Sequence, residues 1–347
     1  MKKKKTCMAF VKYFLNLLIA TSEGLIMRRS ILFLYLLGIV LPGTSQITFE
    51  DIEKEWIKKN NIKIKEQYDY AYSGGAPGSK NYKSSVVIYN EDGNILEERN
   101  FRATGAIMFV STYEYDSQGN RVEYIKYKGD KEKVTYKQSF IYDNKGNKLM
   151  ERGFNGAENY KNTYKYNGSG ELVEINYYLG STLDEKRLLE RNGNVTMIKV
   201  YDADDKFKYT ITNRYDDNGN LLEEVKTEED VESRKVNYAY DHNQNINEKV
   251  KFLYGNFSYQ LKYKYDSKGR LVELEERVPD IPDAYMLKKY RYSGDGELIA
   301  EEWRNDPKKD FSSKAYKYNS NGVLIETDCY FASYKFKVLY KYKYEKF

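Results

Sequence analysis

Seven glutamates recur at one position of a repeated segment: Glu97, Glu123, Glu174, Glu223, Glu248, Glu273 and Glu326. Carboxylates in such supply could hold cations or cleave glycosides. Glycoside cleavage needs two carboxyls at a set separation in a cleft, one of them with a raised pKa. An evenly repeated glutamate reads instead as a solvated structural position. A second row is aromatic, with Tyr113, Tyr164, Tyr238, Tyr263, Tyr290 and Tyr316 as its tyrosines and Phe140 in the same place of another copy. Those six tyrosines are the candidate binding residues, because aromatic faces can stack on sugar rings. The competing reading is packing between strands, with hydroxyls reaching water or a carboxylate.

Other candidates carry less. Asp202, Asp204 and Asp205 lack the glycine and closing glutamate of an EF-type calcium loop and read as a strand connection. Ser73 to Lys80 (SGGAPGSK) lacks the Gly-Lys-Ser/Thr order of a phosphate loop, and a strand pattern follows it. His242 sits in a turn, and Cys329 reads as a small apolar residue of a strand. With one His and 2 Cys, the chain lacks the groups for Cys/His zinc sites and Cys/His nucleophile pairs. No catalytic residue, metal ligand or cofactor is assigned. The expectation is a protein that is not an enzyme.

The elements that carry these rows come from a repeat. A segment of the form Tyr-Asp/Asn-x-x-Gly-Asn-Leu recurs about every 25 residues. Its copies begin at Tyr89, Tyr115, Tyr142, Tyr166, Tyr215, Tyr240, Tyr265, Tyr292 and Tyr318, with a degenerate copy, LERNGNV, at Leu189. The Asx residue opens a type I turn and bonds back to the backbone, and the Gly adopts the left-handed conformation of a bulged hairpin. This geometry places Tyr265 opposite Leu271 and Tyr263 opposite Glu273. One face is then expected to carry Tyr-Tyr against Leu-Glu, and the other Lys or Arg against Val, Leu or Ile. Neither face is cleanly polar, so the pattern leaves open which is more buried.

Each repeat supplies two strands. About twenty strands in a meander far exceed the usual sheet of about 4–6, so the sheet must curl, coil or close. The expected fold is all-β: tandem β-hairpin repeats forming one long antiparallel, solenoid-like or spiralling sheet. Thr48 to Asn60 reads as a capping helix over the first edge strand, and Tyr340 to Tyr344 (YKYKY) as a last strand whose edge is guarded by lysines.

Residues 28–45 (RRSILFLYLLGIVLPGTS) have the basic start, apolar run and small residues of an export signal, with Met27 reading as the start codon. If Met1 is the start instead, Phe10 to Ala20 is a second apolar run in a long leader. The expected division is a leader over 1–45, a capping helix and linker over 46–67, and a repeat domain over 68–347. The leader holds seven bases and one acid. Removing them from 57 and 52 leaves 50 bases and 51 acids, a net of −1. No electrostatic footprint for nucleic acid remains. A membrane-spanning barrel would need an apolar row toward lipid, whereas Glu345, Lys343 and Lys341 alternate back from Phe347.

Lys262 to Arg277 (KYKYDSKGRLVELEER) resembles the YD repeat of the RHS/YD-repeat family, and the likeness extends over about residues 80–347. The resemblance implies antiparallel sheets wound into spiral shells, an exported or surface-associated protein, and carbohydrate binding. Most copies here depart from it in having Asn rather than Arg after the Gly. The family's core-associated segment and toxin domain are not seen either. The rhythm is similar, second, to MORN-type repeats. The expected function is an exported binding or scaffolding module in the periplasm, at the cell surface or secreted. Its expected partner is a glycan or a surface or envelope protein, with no nucleic acid and no membrane span. The alternatives are a polysaccharide hydrolase, with carboxylates within Leu189 to Tyr209 or Val278 to Tyr285, and a structural or immunity-type partner of a toxin.

Overall fold

The computed structural model describes residues 49–347. The expected export leader lies outside the described residues. Helix α1 (Phe49–Lys59) comes first. The first eleven strands are β1 (Ile62–Ser73), β2 (Ala76–Tyr89), β3 (Ile95–Phe101), β4 (Ile107–Tyr115), β5 (Arg121–Lys128), β6 (Lys133–Tyr142), β7 (Lys148–Phe154), β8 (Asn159–Tyr166), β9 (Leu172–Leu179), β10 (Thr182–Asn192) and β11 (Val195–Asp202). The rest are β12 (Phe207–Tyr215), β13 (Leu221–Glu228), β14 (Val231–Tyr240), β15 (Ile246–Leu253), β16 (Asn256–Tyr265), β17 (Leu271–Arg277), β18 (Met286–Tyr292), β19 (Leu298–Arg304), β20 (Ser312–Tyr318), β21 (Leu324–Phe331) and β22 (Phe336–Lys346). Strand β1 occupies the stretch from Ile62 that the sequence pattern assigned to a linker ending at residue 67.

Each strand pairs antiparallel with the next, and β22 returns to pair with β1, Lys65 facing Tyr344 and Tyr70 facing Leu339. The 22-stranded sheet is therefore a closed barrel. This overturns the expected solenoid-like or spiralling sheet, and with it the spiral shell implied by the YD-repeat resemblance. An open meander would leave two rows of unpaired backbone groups, whereas strand twist accumulates until the ends meet and closure satisfies both rows. The expected edge at Tyr340 to Tyr344 is thus an interior pairing of the ring.

The repeated turns join even strands to odd ones, so all ten lie at one rim. In the turn after β16, the Asp266 Oδ1 accepts from the backbone N–H groups of Lys268 and Arg270 at 2.9 and 3.0 Å. Gly269, at φ +75°, takes the left-handed position. The copy that lacks glycine places Gln244 there at φ +65°.

A β-bulge follows each full repeat turn, and it corrects the expected facing. Tyr265 opposes Leu271 as expected, but the register then slips. Tyr263 faces Leu274, and Glu273 faces Lys264. The glutamate row therefore joins the lysine face rather than the tyrosine face. The extra residue in the bulged strand shifts everything beyond it by one, and a one-residue shift exchanges the faces of the sheet.

The tyrosine face is the more buried of the two. It holds the buried Tyr113, Phe140, Ile175, Ile198, Val200, Ile211 and Val236. On the opposite face the side chains of Lys165, Arg214, Lys264 and Lys317 are 62% to 66% exposed. Among the described residues one eleven-residue helix is available to cover the sheet. Burial of one face around the ring then comes from curvature: the tyrosine side chains converge inward and the lysine side chains splay outward. Most inward side chains remain half-buried, so water reaches the interior, as it does in barrels of many strands.

Helix α1 packs on the inner face at the seam. Ile57, fully buried, joins Ile62 of β1 and Tyr89 of β2, with Val87, Ile95 and Tyr344 packed around them. Trp56 meets the Tyr344 ring edge-on at 5.9 Å. The Phe347 N–H donates to the Asn61 carbonyl at 3.2 Å. The expected edge cap is therefore a clasp across the join of β22, β1, β2 and β3.

The inward tyrosine belt, a candidate binding surface

The six candidate tyrosines share the inner face and one level of the barrel. Each stands two residues before a repeat tyrosine, and so two residues inside the turn rim. Tyr113 packs on Tyr124 at 5.0 Å, and Tyr124 on Tyr136 at 5.7 Å. The Tyr316 hydroxyl donates to Glu301 at 2.8 Å. Burial away from water raises the phenols of Tyr164 and Tyr238 and pushes those of Tyr263 and Tyr290 up to about 12.

Interleaved cations are the feature that sequence reading missed. Lys148 lies 5.0 Å from the Phe140 ring centre and 5.6 Å from that of Tyr164. Arg187 sits over Tyr177 at 4.8 Å, Lys226 over Tyr209 at 3.9 Å, and Lys249 over Tyr238 at 5.4 Å. Lys251 lies over Tyr259 at 5.6 Å, and Lys314 over Trp303 at 5.8 Å. Burial depresses the ammonium pKa of Lys249 and Lys288, since the charged form loses hydration. Acids share this face, among them Glu151, Glu224, Glu276 and Glu301. Burial raises the carboxyl of Glu276. The signal for this arrangement was in the sequence. Counting five residues past the glycine position (Gln244 in one copy), rather than four, finds Lys249 opposite Tyr238, Glu301 opposite Tyr290, Glu151 opposite Phe140 and Glu224 opposite Asn213.

The outward glutamates are spoken for. Glu97 pairs with Arg99 and Lys131, Glu123 with Lys137, and Glu174 with Lys165. Glu223 pairs with Arg214 and Lys235, Glu273 with Lys264, and Glu326 with Lys317 and Lys341. Glu248 accepts from the Gln260 amide at 2.6 Å. Of the carboxylates in the two irregular stretches, Asp202 holds its own turn through the N–H groups of Asp204 and Lys206. Asp205 pairs with Lys186, and Glu190 with Lys199. Asp280 and Asp283 lie exposed in the loop between β17 and β18. Among the described residues no group of His, Cys, Asp or Glu could hold a metal ion.

No family model matches the sequence, and no curated relative matches it. Among solved structures the chain is similar to a TcdB2-TccC3 structure without its hypervariable C-terminal region. The identity is 14% over 74% of this chain and 17% of the other, at a TM-score of 0.25. The chain thus spans about a sixth of that protein's length. It is also similar to porin-like proteins from Bacteroides uniformis and Bacteroides vulgatus. Identity to the first is 11% over 82% of this chain and 98% of the other, at a TM-score of 0.27. Identity to the second is 8% over 82% of this chain and 99% of the other, at a TM-score of 0.22.

Proposed function

We propose that this chain is an exported, non-enzymatic binding barrel that takes an acidic glycan against its inward face. The observation that carries this is the interleaving of tyrosine rings with cations on a half-buried surface that water reaches: Lys249 over Tyr238 and Lys251 over Tyr259, neither with a carboxylate partner among the described residues, beside Lys148, Arg187 and Lys226, which pair with Glu151, Glu185 and Glu228. Tyrosine offers a stacking face and a hydroxyl, and the cations offer charge-assisted hydrogen bonds to carboxylate or sulfate. The barrel works outside the bilayer. In lipid, outward mid-strand charges such as Lys262 facing Glu275 and Lys289 facing Glu302 would stand where a spanning barrel needs an apolar band.

An array of acidic and neutral polysaccharides tests the proposal. Retention of acidic polymers, weakened on Lys249→Gln together with Tyr238→Leu and without chain cleavage, supports it. Turnover of any polymer, or retention indifferent to both substitutions, refutes it. Partition of the purified protein into detergent-free lipid vesicles would refute the placement outside the bilayer.

A further inference from the structure

On the outer face, the residue before each repeat tyrosine pairs with the residue four after the glycine. Where the first is basic the second is glutamate: Lys165 faces Glu174, Arg214 faces Glu223, Lys264 faces Glu273 and Lys317 faces Glu326. The exception is Arg291, which faces Ala300. Among the described residues Arg291 has no carboxylate partner, and it is exposed, whereas Ala300 beside it is only 6% exposed. A depression of about 330 Å³ opens here, lined by Lys264, Val272, Glu273, Lys289, Arg291, Ala300 and Glu302 among others. That volume lies at the small end of ligand sites.

We propose that this depression binds a uronate residue, whose carboxylate takes the place the repeat normally gives to glutamate. A guanidinium left without its usual partner is matched in geometry and charge by a planar carboxylate. Ala300 and Val272 give the floor an apolar patch for the C–H face of a sugar ring. Lys289 offers a donor and Glu302 an acceptor for ring hydroxyls, beside the Lys264–Glu273 ion pair. This mixture suits a polyol acid better than a bare anion, since the two carboxylates would repel an anion that brought no hydroxyl protons. The site lies on the other face of the sheet from the tyrosine belt and does not depend on it.

Titration calorimetry with glucuronate and galacturonate oligomers tests the assignment, using glucose oligomers and acetate as controls. Arg291→Gln is expected to weaken uronate binding about 10- to 100-fold, the range for a lost charge-assisted bond. Ala300→Glu restores the repeat pairing, so it is expected to fold like its neighbours and to abolish binding at this site. Both effects should survive in a background carrying Lys249→Gln and Tyr238→Leu together, which separates this site from the inward belt. Uronate affinity unchanged in Ala300→Glu, or equal affinity for acetate or glucose oligomers, would overturn the assignment. Circular dichroism melting of Arg291→Gln confirms that any loss of binding is not loss of fold.

Discussion

The Tyr265 hydroxyl donates to the Ile246 carbonyl at 2.7 Å, joining the end of one hairpin to the start of the strand beside it. The same bond recurs around the rim, from Tyr115 to Ile95, Tyr142 to Arg121, Tyr166 to Lys148 and Tyr240 to Leu221. It continues from Tyr292 to Leu271, Tyr318 to Leu298 and Tyr344 to Leu324. Each accepting carbonyl lies two residues after the turn position usually held by glycine, past the last cross-strand pair on that side. The tyrosine thus satisfies a backbone group that the bulge leaves beyond the ladder. Tyr265→Phe keeps the ring and removes the bond, and should cost about 0.5–1.5 kcal/mol. Urea denaturation measures this, and no change in midpoint would show that water satisfies the carbonyl equally well.

Gly93 and Gly119 hold the same turn position at φ +78° and +83°, yet they should differ on substitution. A side-chain carbon at Gly119 would meet open space, whereas one at Gly93 would stand 2.3 Å from the Lys54 carbonyl oxygen of α1. Gly119→Ala should carry only the left-handed backbone penalty of about 1–2 kcal/mol. Gly93→Ala should add displacement of the clasp to that penalty and lower the melting temperature further. Equal melting temperatures for the two variants would show that the helix is not held against this turn.

The hairpin rhythm was legible because its determinants are local. An Asx, a glycine and a tyrosine within seven residues fix a turn whatever lies elsewhere in the chain. Closure was not legible, because it depends on Lys65 meeting Tyr344 and Tyr70 meeting Leu339, pairings between opposite ends of the repeat array. A pattern that describes each hairpin against its neighbour is the same for an open spiral and for a ring. The composition of the faces was misread by one residue. The bulge after Tyr265 moves Glu273 from Tyr263 to Lys264, which turned an expected Tyr-Glu face into a Tyr-Lys interior and a Lys-Glu exterior. The six tyrosines were placed on one face correctly, but the cations among them become visible only once that slip is counted.

The turn aspartates give acid stability a definite sign. Hydrogen bonds from Asn120, Asn147 and Asn220 and the Arg270 guanidinium depress the carboxyls of Asp116, Asp143, Asp216 and Asp266. A folded pKa below the unfolded one means that the unfolded chain binds more protons between the two values. The stabilisation is then present above the ordinary aspartate value near 3.8 and is lost as pH falls through the lowered folded values. Copies that use Asn90, Asn167 and Asn319 at this position carry no such dependence. Replacing the four aspartates together by Asn should flatten stability against pH below about 4 and lower neutral stability by what the carboxylates contribute there. An unaltered acid limb in denaturant titrations at stepped pH would place acid sensitivity elsewhere.

Two ion pairs of similar length should contribute very differently. Lys264 and Glu273 meet at 2.5 Å on the outer face, where the lysine side chain is 63% exposed. Glu224 meets Arg234 at 2.7 Å on the inner face, where its own side chain is 5% exposed. Water and salt screen the first pair, so Glu273→Gln should change stability by no more than about 1 kcal/mol, less at high salt. The second pair has already lost its hydration. Arg234→Met would leave the Glu224 carboxylate buried among rings with its counter-ion gone, at a cost of about 3–5 kcal/mol. Replacing both residues with apolar ones removes the charge along with its partner and should recover much of that loss. A double-mutant cycle on each pair, read by denaturant midpoint at low and high salt, separates the cases. Salt-independent coupling at Lys264–Glu273, or near-zero coupling at Arg234–Glu224, would reverse the assignment of the tyrosine face to the barrel interior.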